Sequence, residues 1–212
     1  MFEQVKNELS HGKKVYIFEV LSMIGFIVFL MLGDKIPVLA TTILGNVIMF
    51  GWILINILVA ATYVVYEFSK ILMKDKIVEG NIVRHLLIKF VFFVMLFMIN
   101  MFPITMLMLI AGGRMGLDMS LPILALMVGL LIVCIARKTI PSAKALTLLG
   151  VLWFVTAFIA LYFLSPLLFV GITSIVKQEM VASTILSIVC FSAALGIFYH
   201  VIKRMKLFLE EK

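Results

Sequence analysis

Glu19 is the one charged residue inside the apolar stretch 15–33 of this 212-residue chain. A carboxylate placed there can bind a proton or a cation, because ionisable groups within apolar helices mark coupling sites in membrane proteins. It can also snorkel to the interface or pair with Lys13 or Lys14, and the residues alone leave both readings open. Three asparagines, Asn46, Asn56 and Asn100, fall in otherwise apolar runs and supply hydrogen-bonding points along a route for a greasy molecule. His11, His85 and His200 lie near polar boundaries and lack a His-Glu-x-x-His spacing, so no metal site is read. Gly-x-Ser-x-Gly and Gly-x-x-x-x-Gly-Lys-[Ser/Thr] elements are absent, as are paired carboxylates on one apolar run. The expectation is therefore no catalytic residue, no cofactor and no ATP site in this chain.

The remaining reactive types read as packing. Cys134 and Cys190 sit inside apolar runs, where cysteine behaves as a small hydrophobe. Met95, Met98, Met101, Met106 and Met108 follow no regular ligand spacing, and methionine is a common apolar filler. Thr41, Gly45, Ile48, Trp52, Asn56, Val59 and Tyr63 advance by steps of three or four residues. They form either a helix-packing seam of small and hydrogen-bonding residues or a substrate-facing wall.

Five stretches hold no Asp, Glu, Lys or Arg: 36–66, 90–113, 119–136, 145–176 and 180–202. With 15–33 they make six runs near or above the roughly 20 apolar residues that a helix needs to cross a bilayer. At 64% hydrophobic, the chain is well above the usual composition of soluble domains. The fold class expected is an all-α integral membrane protein with six transmembrane helices over 15–202, at about 15–33, 38–66, 90–110, 121–136, 145–165 and 180–202. Residues 1–14 alternate Phe2, Val5 and Leu9 with Glu3, Lys6, Asn7 and Glu8, as an amphipathic interfacial helix does. Ser165-Pro166 predicts a broken helix or re-entrant segment after the fifth span.

The net charge of +7 is a topology signal rather than a nucleic-acid one. Fifteen Lys and Arg fall in the N-terminal segment, the 67–89 loop, the 137–144 turn and the 203–212 tail, against Lys35, Arg114 and Lys177 on the other side. Basic residues are retained in the cytoplasm, so both termini are expected inside a multi-pass cell-membrane protein, with lipids as neighbours and no nucleic-acid partner. Residues 67–89 are too apolar for a solvated tether, and Gly80-Asn81 divides them into two amphipathic pieces that want a surface.

The amphipathic lead-in 1–14, six spans with both ends inside, the apolar inner segment 67–89 and the Ser165-Pro166 break together resemble the permease subunits of ABC-2-type exporters. The resemblance covers the whole chain and rests on architecture. It implies an elbow helix at 1–14 and a coupling helix within 70–81, with Lys74, Asp75, Lys76 and Glu79 contacting a separate cytoplasmic ABC ATPase that holds ATP and Mg2+. It also implies a second permease copy or homologue, and export of a hydrophobic or amphipathic substrate or peptide past Asn46, Asn56 and Asn100. Many members carry a Glu-x-x-x-Thr element in the coupling region; here Glu79-Gly80-Asn81-Ile82-Val83 lacks the threonine. The alternative reading is a non-transporting membrane scaffold, immunity or assembly factor, which fits the scarcity of charge in the spans.

Overall fold

A computed structural model describes residues 12–33, 43–73 and 117–210, together with Ile88, Val91 and Met95, which have helical backbone. The elbow helix over 1–11, the coupling residues Lys74, Asp75, Lys76 and Glu79, and Asn100 lie outside the described residues. Every regular element described is helical: α1 (Lys13–Gly33), α2 (Ile43–Met73), α3 (Leu117–Ala136), α4 (Ala143–Val176) and α5 (Glu179–Glu210). Three segments are long and apolar enough to cross a bilayer, Leu54–Met73, Ala143–Val176 and Val181–Met205, and Ser120–Ala136 is a shorter apolar helix. This suggests a membrane protein.

Burial supports that reading through an inverted pattern. Phe163, Leu167 and Ile175 are 72%, 71% and 81% exposed on α4, while Glu19, Asn56, Ser69, Ser120, Thr147 and Ser183 are buried. Water would favour the opposite arrangement, since exposed apolar area costs about 25 cal/mol per Å2. An apolar solvent around the bundle favours this one, because polar groups then satisfy one another inside.

The bundle is organised around α3, which packs on α4 and α5, with α2 against α4 and α1 against α2. Helices α3 and α4 cross at two glycines. A Cβ on Gly129 would stand 2.7 Å from the Gly150 carbonyl oxygen, and one on Gly150 would stand 2.5 Å from Val133 Cγ2 and 2.7 Å from Val65 Cγ1. Small residues at a crossing let backbones approach closely, which is how apolar helices associate without a hydrophobic driving force. Gly150 thus seats α2, α3 and α4 on one another. Arg137 Nε donates to Leu72 O at 2.8 Å and satisfies a carbonyl in the last turn of α2. Arg204 of α5 lies within electrostatic reach of Cys134 near the end of α3. The ends of α2 and α3, the start of α4 and the C-terminal part of α5 therefore share one end of the bundle. Lys177, in the left-handed conformation, closes α4 at the other end by donating its N–H to Thr173 O.

Two expectations are corrected. No break follows the fifth span: α4 runs unbroken through Ser165-Pro166 for 34 residues. Pro166 removes the N–H that would reach Tyr162 O, and Ser165 Oγ–H donates to that carbonyl at 3.0 Å instead. The inner segment 67–89 does not begin as a loop, because α2 continues to Met73. Glu67 and Lys70 sit one turn apart on that helix, 3.3 Å from each other, and Lys70 lies 4.3 Å from the Tyr66 ring centroid. The tail is likewise helical to Glu210, as a continuation of α5.

Candidate functional site in the seam between the first two helices

Helix α1 presents Glu19, Ser22, Gly25 and Phe26 along one stripe, at spacings of three, three and one residues. Helix α2 answers with Trp52, Asn56 and Tyr63. Trp52 Nε1–H donates to Ser22 Oγ at 2.5 Å, and its ring meets Phe26 edge-on at 6.4 Å between centroids. Gly25 makes room for the indole, since a Cβ there would stand 3.0 Å from Trp52 Cη2. The sequence needs a small residue at 25 and a hydroxyl at 22 for this one side chain to dock.

One turn along from Trp52, Asn56 is 3% exposed and donates through Nδ2 to Trp52 O at 2.7 Å. That bond orients the amide. Its Oδ1 is buried and, among the described residues, has no hydrogen-bond partner. Glu19 lies one turn before Ser22 on α1, and Asn56 one turn after Trp52 on α2. The Glu19 side chain is fully buried. Lys13 and Lys14 are exposed. Glu19 therefore does not snorkel to the interface as its closeness to the start of the helix implied; its carboxyl is part of the interior. A buried polar group in such surroundings is costly unless it is satisfied or used.

Two other buried polar side chains differ in kind. Thr147 Oγ1 donates to Ala143 O at 2.7 Å and Ser69 Oγ to Val65 O at 2.8 Å, each within its own helix. They are self-contained and offer nothing to a ligand. Cys134 and Cys190 are free and buried. Among the described residues no group of three or more His, Cys, Asp or Glu gathers in a metal-binding arrangement.

Of the three asparagines proposed for a translocation path, Asn56 is the one whose side chain is described, and it faces the seam. Asn46 lies on the first turn of α2 by backbone, its side chain outside the described residues. Ser22 and Arg137 were not singled out from sequence. Ser22 was findable, because it shares a helical stripe with Glu19 and Gly25; Arg137 was not, because its acceptor Leu72 is 65 residues away.

No protein-family model matches this chain, and neither a curated protein nor a solved structure is similar to it.

Proposed function

We propose that the chain is the membrane-spanning permease subunit of an ABC-2-type exporter, multi-pass in the cell membrane with both termini cytoplasmic. It acts with a second permease copy or homologue and moves a hydrophobic or amphipathic substrate, or a peptide, outward. ATP and Mg2+ act on a separate cytoplasmic ATPase, so this subunit needs no catalytic residue of its own. The observation that carries the reading is the continuity of α2. Its 31 residues extend about 46 Å at 1.5 Å each, well beyond a hydrocarbon core of about 30 Å. One part of that rod holds Trp52 against Ser22 and Phe26 of α1. Its last turn is tied by Arg137 to α3, immediately before Lys74, Asp75, Lys76 and Glu79.

A push on residues 74–81 by a closing ATPase dimer is then delivered to a rigid helix rather than lost in a loop. The far arm of the rod moves against α1, where Asn56 and Glu19 sit. Asn46, Asn56 and Asn100 provide the polar points of the path.

The test is purification of the tagged protein from its native membrane in mild detergent, with stoichiometric partners identified by mass spectrometry. A P-loop ATPase should co-purify with the wild type. It should be lost when Lys74, Asp75, Lys76 and Glu79 are all replaced by Ala, without a change in the elution of the chain itself. Recovery of the chain alone, or with other membrane proteins only, contradicts the proposal and favours a non-transporting scaffold.

A further inference from the structure

The bundle end that carries Arg137 also collects Lys70, Lys138, Lys144, Lys203 and Arg204. Lys138, Lys144, Lys203 and Arg204 are exposed. Three of the elements that carry them meet there: the turn after α3, the first turn of α4 and the C-terminal part of α5. The Gly129–Gly150 crossing and the approach of Arg204 to Cys134 bring them to a similar level. Four exposed cations, on the turn after α3, the first turn of α4 and the C-terminal part of α5, therefore share this corner.

The second observation lies in what accompanies each cation. Lys144 has Leu148, 63% exposed, four residues on. Lys203 has Tyr199, 64% exposed, four residues back. Lys138 has Ile135, 47% exposed, three residues back. In each case the apolar partner lies toward the middle of the bundle and the cation toward its end. For Lys144 and Lys203 the four-residue spacing puts both on one helix face. A soluble anion needs the charge alone, and an acidic protein docking on this end would approach along the axis. A cation with an exposed apolar side chain three or four residues from it on the inner side, repeated on three elements, matches a molecule with an anionic head and an acyl tail running alongside the bundle.

We propose that Lys138, Lys144, Lys203 and Arg204 form a binding site for the headgroups of anionic phospholipids, with Ile135, Leu148 and Tyr199 against the acyl chains. The site is independent of the transport reading. A basic side chain at a membrane surface contributes about a fivefold preference for anionic lipid.

The experiment reconstitutes the full-length protein in nanodiscs of mixed phosphatidylglycerol and phosphatidylcholine, re-extracts it in mild detergent and measures the retained lipid by mass spectrometry. Wild-type protein should retain phosphatidylglycerol at least tenfold over its share of the mixture. The Lys138→Gln, Lys144→Gln, Lys203→Gln, Arg204→Gln variant should fall to within about twofold of that share. Lys177→Gln, at the opposite end, should behave as wild type. Unaltered thermal unfolding of each variant shows that the bundle is intact. If the quadruple variant proves unstable, the Lys144→Gln, Lys203→Gln pair carries the same test and should lose most of the enrichment. Equal retention of both lipids by the wild type overturns the proposal, as does enrichment that survives either variant. Loss of a co-purifying acidic protein in the variant, with lipid retention unchanged, also overturns it and assigns the corner to that protein.

Discussion

The α3–α4 crossing and the α1–α2 seam solve the same problem, joining two apolar helices, in opposite ways. At the first, Gly129 and Gly150 bring backbones together and the adjacent Thr147 satisfies its hydroxyl within its own helix. At the second, a tryptophan is held by a serine on the neighbouring helix, and an amide oxygen and a carboxyl lie buried one turn away. The first arrangement has one close-packed state and nothing to exchange with a ligand. The second leaves Asn56 Oδ1 buried and, among the described residues, without a hydrogen-bond partner, a cost that proteins retain where a site must act. Under the proposed function, stability belongs to the α3–α4–α5 core and the working groups to the seam.

The largest expected effect tests the crossing. Gly129→Ala forces a methyl group against a backbone oxygen that cannot rotate away, and should destabilise the bundle by about 2 kcal/mol. Thermal unfolding in detergent measures it; a change below about 0.5 kcal/mol would mean the helices are free to separate there.

Next in size is Trp52→Phe, which removes the bond to Ser22 Oγ and part of the contact with Phe26. It should cost about 1.5 kcal/mol, and Ser22→Ala on top of it should add almost nothing. Full additivity of the two changes would sever the pair on which the seam is built.

Asn56→Leu runs in the other direction. Removing a buried acceptor that lacks a partner among the described residues should leave stability unchanged or raise it by about 1 kcal/mol, while the proposed ATP-driven transport falls. A loss of more than about 1 kcal/mol would show that the amide is structural after all. The smallest effect belongs to Thr147→Val, which deletes a hydroxyl bonded only within its own helix and should stay within about 0.5 kcal/mol of wild type in both stability and activity.

Much of this was legible from residue order. Charge-free runs located α3 and most of α2, α4 and α5, and the run 15–33, interrupted only by Glu19, located α1, because apolar length is what a bilayer-spanning helix requires. The three- and four-residue stripe through Trp52 and Asn56 also pointed to the face of α2 that meets α1. The failures have identifiable causes. Pro166 was read as a break because the rule counts the lost N–H and does not see Ser165 supplying a donor to the same carbonyl. Residues 67–73 were read as loop because Glu67 and Lys70 are charged, although one turn of helix lets them pair. Glu19 was left open between a coupling carboxylate and one that snorkels or pairs with Lys13 or Lys14. Its burial depends on the packing around α1, which no local pattern encodes.

The proposed division between a fixed core and a working seam is tested most directly by paired spin labels in the complex with the ATPase proposed above. Cys134 and Cys190 would first be replaced by Ala, and labels attached at exposed Ile24 and Ile55 across the seam, and at exposed Ile135 and Leu148 across the α3–α4 crossing. Pulsed electron–electron resonance with and without ATP then gives both distances. The account predicts a shift of several ångströms between 24 and 55 and none between 135 and 148. A static seam, or a crossing that moves as much as the seam, would contradict it.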